Sequence, residues 1–409
     1  MVADVTIKKD YKRTELGEIP EDWDVKKLGD IGESIIGLTY SPNDVVDYGK
    51  LVHRSSNIRD NRLSYEDNVY VNKTISKRLT LKENDILICV RNGSRELIGK
   101  SALIKDISIG ETFGAFMSVF RSNTYQPFIF YLIISNIIQQ QINQSLGATI
   151  NQITNKTLND FLIPYPFKTK EQIAISTVLS DMDTLIEHLD KLTSKKKAIK
   201  LGIMQQLLTS KKRLPGFSEE WDVKAVNNFG DVITGGTPVT KTKKYWNGKI
   251  PWVTPTDITN KKDIFNTERE ITAEGLSMIR RLPANSLLIT CIASIGKNVV
   301  LRRVGACNQQ INAIIPNKDY DVDFLYYVFE NTKQYLLGQA GITATNIISK
   351  KNFSEINFTV PKISEQTAIA EVLSDMDTEI EKMEVKRDKY KMLKQGMMQQ
   401  LLTGKIRLL

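Results

Sequence analysis

Residues Glu171–Leu214 and Glu365–Leu408 align without a gap at an offset of 194, and 26 of the 44 positions are identical. Self-similarity at a fixed offset constrains architecture before any helix or strand is assigned. Weaker matches precede both segments. Trp23-Asp24-Val25-Lys26 pairs with Trp221-Asp222-Val223-Lys224, Gly32 and Gly37 with Gly230 and Gly235, Leu51–Ile58 with Pro251–Ile258, and Ile98-Gly99-Lys100 with Ile295-Gly296-Lys297. The chain of 409 residues is therefore two tandem units, roughly 13–212 and 213–409, each a diverged front part followed by a well-matched tail. A chain of this length also exceeds one ordinary core. The expected division is a first domain over 1–165, a long helix over 166–212, a second domain over 213–360 and a second long helix over 361–409.

The tails read as helices. In the first, Ile175, Met182, Leu189 and Ile203 fall at heptad position a, and Leu179, Ile186 and Leu207 at d. In the second the a series is Ile369, Met376, Met383, Tyr390 and Met397, and the d series is Leu373, Ile380 and Leu401. Lys196 interrupts the first series, so both tails are apolar at the ends and polar in the middle. A helix of about 40 residues spans roughly 60 Å at 1.5 Å per residue, too long for the inside of a small domain. Pro166 and Pro361 stop the strand before each helix, and Gly202 and Gly396 mark a kink or an end. The simplest arrangement is an antiparallel two-stranded coiled coil with an approximate twofold axis; two separate surface helices are the alternative. The basic run from Lys191 to Arg213 would face the seven acids between Glu365 and Glu384 in such a pair and set its register. Contact with DNA phosphate is the competing reading of those lysines.

The front parts read as α+β. Short apolar runs such as Asp85–Val90 and Ser286–Thr290 alternate with polar loops, and helices are expected near Phe128–Leu146 and Phe324–Leu337, the second capped by Asp323. The expected fold is two pseudo-twofold-related α+β domains separated by two long antiparallel helices. With 25% charged and 41% hydrophobic residues the chain buries a core, and with no apolar run of membrane-spanning length a cytoplasmic protein is expected. Cys89, Cys291 and Cys307 sit in or beside apolar runs and read as reduced core thiols. A net charge of +9 favours a polyanionic partner.

Catalytic patterns are missing. Gly93–Ser101 resembles a phosphate loop, but five residues separate Gly93 from Gly99 where four are required, and the second copy, Ala293–Asn298, lacks the terminal hydroxyl. No two prolines are adjacent, so the Pro-Pro-aromatic tetrad of a DNA amino-methyltransferase is absent; Ile163-Pro164-Tyr165-Pro166-Phe167 only imitates it. His53 and His188 are the sole histidines and neither lies in a metal or triad pattern; His53 aligns with Val253 and reads as an ordinary strand residue. Asp181 with Asp183, and Asp375 with Asp377, are two apart on a helix and diverge, so they read as a solvated face or a partner contact. No catalytic residue and no metal ligand is assigned.

The remaining landmarks form an ordered set: Gly235-Gly236-Thr237-Pro238, then Lys244-Tyr245-Trp246-Asn247-Gly248-Lys249-Ile250-Pro251-Trp252-Val253 with Asp257-Ile258, then Ile295-Gly296, Asn308-Gln309, Pro361 and Glu365-Gln366. Together they resemble specificity subunits of type I restriction-modification enzymes over essentially the whole chain. The first unit departs from the pattern, with Gly37-Leu38-Thr39-Tyr40 for Gly-Gly-Thr-Pro, Val52 for Trp252 and Phe113–Phe116 near the Asn-Gln position. The resemblance implies a non-catalytic subunit that reads double-stranded DNA through two target-recognition domains, one half of a bipartite site each. It also implies two methyltransferase subunits that use S-adenosylmethionine and two restriction subunits that use ATP and magnesium, with no cofactor on this chain and no membrane. A stand-alone DNA-binding or scaffold protein with the same repeat is the alternative.

Side chains that suit DNA lie on the loops of both front parts, since phosphate contacts position and base contacts specify. In the first unit these are Thr39, Tyr40, Arg54, Ser55, Asn57, Arg59, Arg62, Arg91, Asn92, Ser94, Arg95, Lys100, Thr149 and Asn151. In the second they are Thr237, Lys241, Lys243, Lys244, Tyr245, Thr256, Asp257, Asn260, Lys261, Lys297, Asn308, Gln309, Thr345 and Asn346. Arginine can grip guanine and asparagine adenine with paired hydrogen bonds. Lys100 and Lys297 read as structural or phosphate-facing, and Tyr245 and Trp246 as core packing in preference to contacts.

Overall fold

A computed structural model of the chain describes residues 10–105, 108–147, 151–339 and 346–408. It falls into two compact units, Met1–Leu189 with Lys386–Leu409, and Asp190–Val385. Each contains one α+β domain and a stretch of each of two long helices, α1 (Thr169–Leu207) and α2 (Ile363–Leu401). Both helices run unbroken through Gly202 and Gly396, so neither glycine ends or interrupts them.

In unit 1 a four-stranded antiparallel sheet runs in the order Ser101–Leu103, Ile86–Cys89, Met117–Ser122, Gly32–Ile36. The apolar run of its second strand is explained by burial on both faces. Ile86 and Ile88 join the core built with helix Gln126–Ile133, whereas Leu87 and Cys89 point into a second core with Ile35, Met117 and Val119. Burial pushes the Cys89 thiol up to about 11, as expected of an inert core cysteine. A second sheet holds Thr112–Phe113 parallel to Lys50–His53. Unit 2 repeats the design. Leu287 and Ile289 face one core and Leu288 the other, and Trp246–Val253 pairs in parallel with Ala306–Cys307.

Two expected helices are each split. Gln126–Ile133 and Asn136–Ser145 break at Ser135, and Val322–Asn331 and Lys333–Gly338 break at Thr332. The cap of the third of these is Asp321, not Asp323: Asp321 Oδ1 accepts the backbone N–H groups of Asp323 and Phe324, both at 2.9 Å. Asp323 is instead drawn to Lys262 Nζ at 2.7 Å and to Arg302.

A two-stranded ribbon leads into each long helix, Trp23–Lys27 with Leu162–Pro166 in unit 1 and Asp222–Ala225 with Asn357–Val360 in unit 2. Gln172 and Gln366, at the same place in the two repeats, donate to Pro166 O at 2.8 Å and Pro361 O at 2.9 Å and so fasten ribbon to helix. Within each unit the helical stretches run antiparallel. Glu171 pairs with Arg407 and Asp183 with Lys394 in unit 1; Lys196 pairs with Glu379, Lys200 with Asp377 and Arg213 with Glu365 in unit 2. Partner numbers rise on one strand as they fall on the other.

The seam departs from a simple coiled coil. Ile175, Leu179 and Leu401, with Met397 packed beside them, belong to the core of the first domain. Ile369, Leu373 and Leu207, with Ile203 beside them, belong to the core of the second. Ile186, Leu189 and Ile380 are buried, and Met182, Met376, Met383 and Tyr390 are half-buried. The apolar ends seen in the sequence are thus the places where helices enter domain cores. Lys196, at an a position, reaches Glu379 and leaves an ion pair where a coiled coil would bury a side chain. Among the described residues no helix is long and apolar enough to cross a membrane.

Candidate nucleic-acid interface

Five segments distant in sequence meet at one edge of each domain. In unit 1, Leu38 N–H donates to Phe113 O at 2.7 Å and Ala115 N–H to Leu38 O at 2.9 Å. Gly114 N–H donates to His53 O at 3.0 Å, Val90 N–H to Phe116 O at 3.0 Å and Asn92 N–H to Asn151 O at 3.3 Å. In unit 2, Gly236 N–H donates to Cys307 O at 2.8 Å, Asn308 N–H to Val253 O at 2.9 Å, Cys291 N–H to Gln310 O at 2.9 Å and Ala293 N–H to Asn346 O at 3.0 Å. Apart from the Ala115 bond, the same positions of the repeat are joined in the same way. The first glycine of the Gly-Gly-Thr-Pro stretch is required by this convergence: a Cβ on Gly235 would lie 2.2 Å from Asn308 O, and one on Gly37 would lie 2.2 Å from Gly114 O.

The side chains proposed from sequence separate into two sets. Asn57 is fully buried, accepts the N–H of Arg54 at 2.9 Å and donates to Ser64 O and Asp67 O. Asp257, its counterpart, accepts the N–H of Thr254 at 2.8 Å and of Glu268 at 2.9 Å. Both close the turn that shapes the loop. Arg54 is held by Asp67 at 2.8 Å and Arg59 by Glu66, while Arg62 donates to Asp183 O at 2.8 Å and pairs with Glu187 on α1. Arg95 donates to Asn143 O at 2.9 Å. Tyr245 packs beside the small core of Trp246, Trp252, Ile271 and Ala306.

The other set lies on the rim and, apart from buried Asn308, is half-buried or exposed. Thr39 and Arg91 are exposed, Tyr40 is half-buried, and Asn92 bridges two loops by donating to Ser55 Oγ at 3.0 Å. Ser94 is exposed, and Asn151 donates to Gly93 O at 3.0 Å. In unit 2 Thr237 donates to Gln309 Oε1 at 2.6 Å, and Asn308 is buried against Gln310. Thr256 is exposed and shares a hydrogen bond with Thr254 at 2.7 Å, and Asn346 is also exposed. Exposed lysines Lys241, Lys243, Lys244, Lys261 and Lys297, with exposed Asn260 and half-buried Lys100, stand on loops of the two domains. Thr149 and Thr345 lie outside the described residues. Sequence reasoning did not select Phe116, Gln152, Gln310 or Arg269. Phe116 is 55% exposed on the rim, and the Arg269 guanidinium lies 4.0 Å from the Trp246 ring centroid. The signal for Phe116 and Gln310 was their common distance from the matched strands at Phe113 and Cys307.

The model of the type I restriction modification DNA specificity domain matches the chain twice, over residues 20–198 and 218–388. The chain belongs to this family. The MjaIX specificity subunit of Methanocaldococcus jannaschii, a type I restriction enzyme component, is 34% identical over 169 residues, 40% of this chain and 39% of that relative. The MjaVIII specificity subunit of the same organism is 26% identical over 424 residues, 95% of this chain and 94% of that relative. The fold is shared with the type I restriction-modification S subunit from M. genitalium, with a TM-score of 0.62 at 13% identity, over 97% of this chain and 98% of that one. The two specificity domains match the two repeats, and the rims described above are built from the parts that diverge between them.

The matched parts carry another paired feature. In unit 1 Tyr131 Oη donates to Asp183 Oδ2 at 2.9 Å and Lys394 Nζ to Asp183 Oδ1 at 2.6 Å. In unit 2 Tyr327 Oη donates to Asp377 Oδ2 at 2.7 Å, and Lys200 to Asp377. Burial foremost, and then the carboxylates, push both phenols above their ordinary range and keep them as donors. Likewise Trp23 Nε1 and Arg407 both meet Glu171, and Trp221 Nε1 and Arg213 both meet Glu365. Of the four aspartates read as a solvated face or a partner contact, Asp183 and Asp377 are therefore the sites where each domain grips the long helices, while Asp181 and Asp375 are exposed.

Proposed function

We propose that the chain is the DNA-reading subunit of a type I restriction-modification complex and that each rim addresses one half of a bipartite site. Methyl transfer and cleavage then belong to separate subunits that bring S-adenosylmethionine and ATP with magnesium. The observation that carries this is the pair of equivalent rims. Equivalent main-chain bonds at five segments support different side chains, Arg91, Asn92 and Phe116 on one rim and Ile292, Ala293 and Gln310 at the same places on the other. A shared scaffold with divergent loop chemistry is what reading two different sequences demands. A net charge of +9 favours the phosphate backbone of the same partner.

The test is methylome sequencing of cells with the methyltransferase subunit, with and without this chain. Methylation of a two-part sequence should appear only with the chain present. The purified chain alone should transfer no methyl group to DNA, and methylation by partner-free protein would defeat the reading.

A further inference from the structure

On the first rim the arginines fall into two classes. Arg54 and Arg59 are neutralised by carboxylates, and Arg62 and Arg95 are engaged by carbonyl oxygens. Arg91 is exposed and has no ion pair among the described residues. Its guanidinium carbon lies 5.0 Å from the ring centroid of Phe116. An aromatic face under a guanidinium fixes its plane and leaves the N–H edge for another acceptor.

The backbone beneath the pair is tied down. Phe116 O accepts the N–H groups of Val90 at 3.0 Å and of Arg91 at 3.1 Å, and Arg91 bridges Gln152 on the opposite segment. The adjoining Asn92 is pinned to Ser55. A long side chain ordered before binding loses less entropy on contact. In unit 2 the places of Arg91 and Phe116 in the hydrogen-bonded framework are taken by Ile292 and Gln310, so this device belongs to one domain only.

We infer that Arg91, oriented by Phe116, is the base-reading arginine of the first domain, that it takes the O6/N7 edge of a guanine, and that Phe116 packs on the adjoining pyrimidine. The inference rests on the DNA-reading role proposed above. A planar fork suits the paired acceptors of guanine in the major groove, and an apolar ring suits the methyl group of thymine. Arg91 is then a contact residue, and Phe116 both a contact and a positioning residue.

The experiment uses the full chain assembled with its methyltransferase subunit. Binding is measured on duplexes carrying the methylated site and on variants substituted one base pair at a time. Arg91→Gln should reduce discrimination at one guanine of one half-site by roughly 10- to 100-fold and leave the other half-site unaltered. Phe116→Ala should weaken discrimination at that base pair and its neighbour, and Phe116→Tyr should restore it. Because Arg91 is exposed, the Gln variant tests the contact without burdening the core, and Arg91→Lys, which keeps the charge but not the fork, should resemble Arg91→Gln. Unchanged discrimination at every position overturns the inference. So does a uniform loss of affinity with a salt dependence lowered by about one ion, which marks a phosphate contact and leaves the DNA-reading role standing. If the unsubstituted complex shows no sequence preference, the DNA-reading role itself has failed.

Discussion

Asp183 and Lys394 stand 211 residues apart in sequence and form an ion pair at 2.6 Å on the surface of Tyr131, whose hydroxyl donates to the same carboxylate. Replacing Lys394 by Ala leaves a half-buried carboxylate with one donor fewer. It should lower stability by about 1–3 kcal/mol, read as a lower thermal or urea midpoint of the full chain. Lys394→Met keeps an apolar stem of similar length and should cost less.

Glu171 is buried, with Arg407 Nη2 at 2.9 Å and Trp23 Nε1 at 3.2 Å. Arg407→Ala strands that charge and should cost roughly 3–5 kcal/mol, whereas the double substitution Glu171→Gln with Arg407→Met should recover much of the loss. Calorimetry of the three proteins checks the order. Arg213→Ala should act alike through Glu365 in unit 2.

His53 is fully buried, and desolvation, opposed by Glu111 at 2.6 Å, lowers its pKa below the ordinary value of 6.5. A lowered folded-state value means that the unfolded chain takes up the proton first as pH falls. The stability this group contributes is therefore complete above 6.5 and is lost as pH falls from 6.5 through the lowered folded value. Unfolding midpoints measured between pH 8 and about 5 should show this slope, and His53→Val, the residue of the second repeat, should flatten it.

Exchanging residues of about 40–160 for those of a relative should alter one half-site and leave the other intact, because that span holds the first rim. It also holds Tyr131 and Arg62, which grip α1. A hybrid that retains both should be as stable as the parent, and one that lacks them should unfold earlier while reading the same sequence as the first hybrid. Methylome sequencing with a melting curve on each hybrid separates the two effects.

The repeat and its heptads made the long helices legible, apolar runs the α+β class, and the basic run Lys191–Arg213 against the acids Glu365–Glu384 the register seen in Lys196 with Glu379 and Lys200 with Asp377. The rims were legible only in part. Asn57 and Arg91 are equally polar loop residues in the sequence, yet one is spent inside its own turn and the other faces outward. The difference is made by long-range pairing, such as Phe113 beside His53, which no local pattern encodes. The two clamps could have been found, because Trp, Glu and Arg, and Tyr, Asp and Lys, recur together at nearly one offset.

Residues that finish the first domain, Lys394, Leu401 and Arg407, lie beyond the whole second domain in the sequence, so the ribosome adds them after it. During synthesis the apolar stripe around Ile175 and Leu179 therefore waits uncovered while some 200 further residues are made. The first domain is thus completed only after the second has been made, and a nascent chain arrested before α2 would be a substrate for holding chaperones.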